Sequence, residues 1–201
     1  LFDTRPLPRP APRGGYASPS ADAAEPSPRD WFDLLMAEST AAAIDPRVVD
    51  WTASVEVRRA THRLVTSEGG DVVQRYRMLV PGLAVSAHAG GDTQTRTLHG
   101  FRGACQQGGP EVLARIGFAG AGRRVAEEAL ELVLAPNCPT ARMDVLLAPD
   151  QMVLQIHESI GHPLELDRIL GDERNFAGTS FVTLDMFGHY RYGSELLNVT
   201  F

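Results

Sequence analysis

Residues 51–99 read WTASVEVRRATHRLVTSEGGDVVQRYRMLVPGLAVSAHAGGDTQTRTLH. Val55 and Val57 alternate with charged neighbours, which is the period of a half-buried strand. Residues 72–80 alternate less regularly, and threonines alternate with other residues over 93–97. Because several such runs follow one another closely, the stretch predicts an antiparallel β-meander.

Glycine-containing turns at 68–71 and 90–92 separate these runs, and the pair Pro81-Gly82 predicts a third break. An antiparallel sheet of this kind can leave one face in water. We expect that face to carry much of the arginine, Arg75 and Arg77 included. The apolar residues expected to alternate with it in the middle of the stretch are Val72, Tyr76, Met78 and Val80.

Helical patterns flank the meander. Ser27 is a good N-cap, Pro28 suits a first helical position, and the apolar stripe that follows ends near Asp45. A second helix is predicted over 122–135, with Val125, Ala129, Leu132 and Val133 on its buried face. The apolar run 143–147 is compatible with a buried strand, and another helix is predicted to begin near Gln151. This order indicates an α+β fold.

Composition excludes several classes of protein. The chain has 201 residues, 43% hydrophobic and 22% charged, with a net charge of −6. These values are typical of a globular protein and argue against a nucleic-acid binder that neutralises phosphates. No apolar run is long enough for a membrane span. Two cysteines, Cys105 and Cys138, are too few for a disulfide scaffold, so we expect a cytoplasmic protein. From the charge and the apolar runs we expect neither nucleic-acid nor membrane partners.

Half of the prolines lie in residues 1–28, which predicts an extended arm or linker rather than a domain. The α+β domain is expected over 29–175. The chain begins at Leu1 rather than at a methionine, and it ends at Phe201 within an apolar alternation. We therefore expect it to be a piece of a longer protein.

Residues 157–162 carry the chemistry, because HESIGH places a carboxylate between two imidazoles. Neutral imidazoles are good zinc ligands, and a catalytic zinc site keeps one position open for water. Bound zinc lowers the pKa of that water, and a neighbouring Glu can take its proton. The pattern predicts His157 and His162 as zinc ligands and Glu158 as the general base. A helix that merely carries two histidines is the simpler alternative.

The spacing of the two histidines makes a structural prediction. At i and i+5 they lie about 140° apart on a regular α-helix, too far to share a metal. One extra residue must be absorbed, as in a π-bulge. Gly161 tolerates unusual backbone angles, and Pro163 has no N–H for the carbonyl of Ser159. We therefore expect a π-type turn or a break between Ser159 and Pro163.

The flanks extend the pattern. Residues 157–167 read HESIGHPLELD and residues 176–181 read FAGTSF. With GYAS at 15–18, DPR at 45–47 and NCP at 137–139, the chain resembles the TldD/PmbA family of metallopeptidases, the microcin-processing or "modulator of DNA gyrase" family. The resemblance covers nearly the whole chain but only the middle of a typical member. It implies that residues 176–201 begin a β-rich C-terminal domain.

The resemblance also implies roles and partners. His157 and His162 match the zinc-binding histidines, and Glu158 matches the general base. The third ligand would be a cysteine beyond Phe201. Glu165 and Asp167 match further motif positions and are candidates to orient a histidine. A flexible peptide would be the substrate, and the protein would act as a homodimer or as a heterodimer with a TldE/PmbA-type paralogue.

Two alternatives stay open. A dipeptidyl-peptidase III-like zinc exopeptidase also uses H-E-x-x-G-H, but it takes a third ligand from an E-E-C-R-type segment that is not found in the 39 residues after His162. A non-catalytic partner or regulatory subunit would have no need of His157, Glu158 and His162 together.

Overall fold

The structure is a computed structural model that describes residues 11–100 and 104–199. The described residues form two compact units, 11–142 and 143–199, and each is considered by itself. Together they contain a five-stranded sheet and five α-helices, so the α+β class is confirmed. Most of the predicted arm lies outside the described residues, and the predicted domain bounds stay predictions.

The first unit is built on the predicted meander. Its strands are β1 (Arg13–Ala17), β2 (Val48–Val65), β3 (Asp71–Ala89), β4 (Asp92–Thr97) and β5 (Gln106–Gln107). The central strand β3 pairs in an antiparallel manner with β2, β4 and β5, and in parallel with β1. The turns predicted at 68–71 and 90–92 are confirmed. Strand β1 shows that part of the proline-rich stretch is joined to the sheet.

The break predicted at Pro81-Gly82 is wrong, because β3 continues through both residues. On the β2 side, Pro81 pairs with Val55 in regular register. On the other side, the described partners of β3 end at Leu79 and resume at Ala84. Among the described residues, β3 is therefore locally an edge at Pro81, where no described neighbour needs the N–H that proline lacks.

The predicted faces of the sheet are correct for β2 and wrong for β3. Val55 and Val57 face the core side, as expected. On β3, however, the core side is formed by Leu79, Leu83, Val85 and Ala87. Arg77 belongs to this same odd-numbered set and is fully buried rather than exposed.

Arg77 is buried because it anchors the segment that follows β1. Its Nη1 donates hydrogen bonds to the carbonyls of Ser20 (2.8 Å) and Ala23 (3.2 Å). Its Nη2 lies 2.9 Å from Glu25 Oε2. A buried charge is tolerated when it is paired and hydrogen-bonded.

Two helices cover the core side of the sheet. Helix α1 (Pro28–Ala42) begins with the predicted N-cap, where Ser27 and Asp30 form a reciprocal capping box. Short helix α2 (Glu111–Arg115) precedes α3 (Ala121–Leu134). On α3 the predicted residues Val125, Ala129 and Val133 are buried, whereas Leu132 is partly exposed and Ala126 takes its place.

Glu38 joins the two long helices. Glu38 is only 4% exposed, and its carboxylate accepts hydrogen bonds from the backbone N–H groups of Gly120 (2.6 Å) and Gly122 (2.8 Å). These N–H groups lie at the start of α3, where a helix has no internal acceptors and carries a partial positive charge. Glu38 therefore caps α3 from a different helix.

The second unit has little regular structure. Helix α4 (Pro149–Ile156) continues into a π-helix (His157–Gly161) and a 3₁₀-helix (His162–Leu164), and then come α5 (Leu166–Leu170) and a 3₁₀-helix at Leu184–Met186. The buried strand expected at 143–147 is not present: this run has no regular secondary structure, and Leu146 is 99% exposed. Described residues 176–199 contain no strand. Among the described helices, none has the length and apolar character needed to cross a membrane.

Candidate metal centre

The backbone of the motif departs from α-geometry as the spacing requires. Helix α4 has Pro149 at its start, and the π-helix begins at His157. The backbone N–H of His162 donates to the carbonyl of His157, five residues earlier. A 3₁₀-helix with Pro163 near its start follows, and it ends at Leu164. The predicted π-type turn is confirmed.

The π-turn brings the three motif side chains together. The imidazole centroids of His157 and His162 are 4.2 Å apart, with an angle of 73° between the ring planes. Glu158 Oε2 lies 4.0 Å from His162 Nε2. One potential ligand atom from each residue lies within 4.8 Å of the others. His157 and Glu158 are exposed and His162 is half-buried, so the cluster faces water.

Glu165 orients His162, a role expected from its place in the motif. Its Oε1 lies 2.9 Å from His162 Nδ1. This hydrogen bond, together with the nearby Arg168, holds the pKa of the Glu165 carboxyl below its usual value. A carboxylate only accepts hydrogen bonds, so Nδ1 carries the proton and Nε2 keeps its lone pair for a ligand. Asp167 takes no part: its carboxylate accepts from the backbone N–H of Arg168.

Arg168 holds Glu165 in this orientation. Its Nε donates to the second carboxylate oxygen, Glu165 Oε2. Its Nη1 donates to the carbonyl of Ala177 (3.0 Å), and its Nη2 lies 3.1 Å from His162 Nδ1. A single Nδ1 cannot both donate to Glu165 and accept from Arg168. The shorter distance and negative charge of Glu165 favour the protonated Nδ1.

The carbonyl of Ser159 has a partner from a distant part of the chain. Pro163 has no N–H to donate to it. The hydroxyl of Tyr192 donates a hydrogen bond to this carbonyl. Burial raises the pKa of Tyr192, so the hydroxyl keeps its proton at neutral pH.

The role expected for Gly161 is wrong. Its φ of −60° and ψ of −70° lie in the right-handed helical region, which other residues also adopt. A Cβ at this position would lie 3.9 Å from His157 Nδ1, an ordinary van der Waals distance. The π-turn therefore does not depend on the conformational freedom of glycine.

Sequence reasoning missed Arg168 and Tyr192. Arg168 lies three residues after Glu165, a helical spacing that could have suggested an ion pair. Tyr192 had no such signal, because it is 33 residues from Ser159. Cys105 and Cys138 are free, exposed and in the first unit. Among the described residues, the only group of three or more potential ligands is His157, Glu158 and His162.

Comparison with known proteins finds similarity to metalloproteases, which is consistent with a metal site at these residues. Over 176 residues the chain is 28% identical to a metalloprotease of Methanothermobacter thermautotrophicus, an alignment that covers 81% of this chain and 38% of the relative. It is also 32% identical over 81 residues to a metalloprotease of Methanocaldococcus jannaschii. That alignment covers 33% of this chain and 18% of the relative. This chain is similar to metalloproteases. It spans well under half the length of these metalloprotease relatives.

The other two comparisons found nothing. No family model matches the chain. No solved structure matches it significantly.

The residues present fit a metal ion. Two imidazoles and a carboxylate are ligand types that zinc and related divalent metals accept. The Nε2 atom of His162 is left free for a metal because Glu165 occupies Nδ1. The contact between His162 and Glu165 matches the usual arrangement, in which a metal-ligating histidine donates its other N–H to a carboxylate.

Proposed function

We propose that this chain carries the metal-binding part of a zinc peptidase, with His157 and His162 as ligands. The observation that carries the proposal is the π-turn, which brings two histidines at i and i+5 to a ring separation of 4.2 Å. The similarity to metalloproteases supports it. The motif also supports the narrower assignment to the TldD/PmbA type, with a cysteine from outside residues 1–201 as third ligand.

The side chains divide the work between binding and proton transfer. Zinc bound here would supply Lewis-acid chemistry, lowering the pKa of a water molecule and polarising a peptide carbonyl. Glu158 accepts the proton of the attacking water and passes it to the leaving amine nitrogen. Its carboxylate is well placed for proton exchange, because it is 65% exposed and lies beside His162. Glu165 keeps His162 in the ligating tautomer throughout.

A second role for Glu158 is favoured by one distance. A carboxylate oxygen of Glu158 lies within 4.8 Å of the ligand atoms of both histidines. Carboxylate oxygen is an accepted third zinc ligand. In that case Glu158 would hold the metal, and another group would take the proton.

The exposed site also supports the proposed substrate. A flexible peptide can reach His157 and Glu158 directly, because both side chains face water. We propose such peptides as substrates of a cytoplasmic enzyme that works as a homodimer, or with a TldE/PmbA-type paralogue.

The test is Glu158→Gln in the intact protein, with bound zinc and peptide cleavage measured on the same preparations. We expect stoichiometric zinc to remain and cleavage to fall roughly 10²–10⁴-fold, the usual cost of losing a general base. The matched control is Glu173→Gln, since the side chain of Glu173 has no polar partner among the described residues.

Each other outcome has a distinct meaning. Loss of zinc together with cleavage would make Glu158 a ligand rather than the base. Full cleavage in the variant would remove Glu158 from the mechanism. A wild-type protein that holds no zinc and cleaves no peptide would overturn the proposed function in favour of a binding subunit. Product masses that show only dipeptides would favour an exopeptidase of the dipeptidyl-peptidase III kind.

A further inference from the structure

We infer that Tyr192 is a positioning residue that holds the π-turn in the geometry that lets His157 and His162 share a metal. The inference rests on the proposed metal site. Tyr192 touches neither histidine in a hydrogen bond; it acts on the backbone between them, at the carbonyl of Ser159.

The need for such a residue follows from Pro163. In a regular helix the carbonyl of residue 159 would accept the N–H of residue 163, and proline has none. A carbonyl deprived of that bond is stabilised by another donor or turns toward water. Tyr192 supplies the donor from the protein itself, which fixes the direction of the carbonyl and with it the peptide plane inside the π-turn.

The ring that carries this hydroxyl packs against two other aromatic rings. The ring of Tyr192 lies 5.7 Å from that of Phe181 and 6.4 Å from that of Tyr190, centroid to centroid. These are normal separations for aromatic pairs. A ring supported on two sides loses little further freedom when its hydroxyl binds the carbonyl.

A second bond from the same stretch of chain fixes the other side of the turn. Ser180 Oγ donates to the carbonyl of Pro163 (2.6 Å) and accepts from the N–H of Val182 (2.9 Å). Residues 180–192 thus bind the carbonyls of both Ser159 and Pro163. The backbone between these residues includes His162, whose N–H makes the bond that defines the π-turn.

Without the hydroxyl, we expect the carbonyl of Ser159 to turn toward water and the π-turn to lose its fixed geometry, because Pro163 still prevents a regular α-helix. The two imidazoles would then no longer be held at the ring separation of 4.2 Å that lets them share a metal. Metal affinity would fall while the fold of the chain persists, since Tyr192 lies outside the sheet and its core.

The experiment compares Tyr192→Phe with Tyr190→Phe in the intact protein. Tyr190 is a neighbouring tyrosine whose hydroxyl makes no hydrogen bond among the described residues, so it controls for loss of an oxygen atom. Zinc affinity is measured by competition with a chelator, and the visible spectrum of bound cobalt reports ligand geometry. We expect Tyr192→Phe to weaken zinc binding roughly 10–100-fold and alter the cobalt spectrum. Tyr190→Phe should change neither.

A variant that keeps a hydrogen-bond donor at position 192 shows whether the hydrogen bond itself, rather than the packing of the ring, holds the π-turn. With p-aminophenylalanine at position 192, the N–H group can still donate to Ser159, and zinc affinity should return to within a few-fold of wild type. Amide exchange at His162, measured without metal, should be faster in Tyr192→Phe than in either wild type or Tyr190→Phe. This measurement needs no bound zinc, so it tests the inference even if the proposed metal site fails.

Unchanged zinc affinity and unchanged His162 exchange in Tyr192→Phe would overturn the inference. So would an equal loss in Tyr190→Phe. If Tyr192→Phe does not fold, the exchange rate of the Tyr192 hydroxyl proton in the wild-type protein decides: a protected proton supports the hydrogen bond, and exchange at the rate of a free tyrosine contradicts it.

Discussion

The two units differ in how they hold their residues in place. Residues 11–142 contain the whole hydrophobic core cluster, formed between the sheet and helices α1 and α3. In described residues 143–199 the only buried hydrophobic side chains are Ile160 and Val182. The candidate metal centre lies in this second unit. Its geometry therefore depends on the backbone turn and on a few hydrogen bonds, whereas that of the first unit depends on packing.

The polar contacts of the two units carry out different tasks. In the first unit, buried Glu38 connects two helices that also pack on the core, and buried Arg77 binds the segment that follows β1. In the second, Glu165 and Tyr192 bond directly to the motif, one to His162 and the other to the carbonyl of Ser159. Loss of a polar contact should mainly reduce stability in the first unit and mainly disturb the site in the second.

The largest expected effect is a loss of packing in the first unit. Phe118 is fully buried, whereas Phe176 in the second unit is 92% exposed. We expect Phe118→Ala to lower the free energy of unfolding by about 3–5 kcal/mol, because it removes a large side chain from the core. Phe176→Ala should change it by no more than about 0.5 kcal/mol. Urea unfolding measures both; equal losses would show that the two units depend on packing alike.

A smaller effect is expected from adding a methyl group at one glycine in each unit. A Cβ at Gly122 would lie 2.1 Å from the carbonyl oxygen of Glu38, whereas at Gly161 the nearest atom is 3.9 Å away. We expect Gly122→Ala to destabilise the protein by about 1–3 kcal/mol through overpacking between α1 and α3. Gly161→Ala should be neutral or stabilise by up to about 1 kcal/mol, because alanine favours helical conformations. Thermal unfolding checks both, and a severe loss in Gly161→Ala would restore the special role expected for that glycine.

The smallest effect concerns an exposed ion pair of the first unit. Hydrogen bonds from the side chain and backbone N–H of Arg47 lower the pKa of Asp45 to about 2, from an ordinary value of 3.8. Because the folded-state pKa is the lower one, the pair stabilises the fold above pH 3.8, and this contribution is lost as the pH falls toward about 2. In Arg47→Gln the pKa of Asp45 should rise toward 3.8, and the pair should stabilise the fold less. NMR titration of the Asp45 carboxyl measures this pKa, and Arg58→Gln, which removes a different arginine of the same unit, should leave it unchanged. An unchanged pKa in Arg47→Gln would show that Arg47 does not lower it.

Much of the local structure could be predicted from the sequence. The capping box at Ser27 and Asp30, the turns of the meander and the π-type turn at His157–Gly161 all follow from residue types at short spacing. Such features depend on hydrogen bonds and backbone preferences within a few residues. The sequence also determined which three side chains could form a metal centre, because the i, i+5 spacing and Pro163 together exclude a regular helix.

Tertiary structure decided the rest. Only the register of β3 between its neighbours shows that Leu79 and Arg77 face the core and that Pro81 continues the strand. Likewise, Glu38 caps a helix more than 80 residues away and Tyr192 reaches Ser159 across 33 residues. Burial and long-range hydrogen bonds depend on which segments meet after folding. A one-residue shift in strand register moves every side chain of the strand to the opposite face of the sheet, so a local sequence pattern cannot specify these contacts.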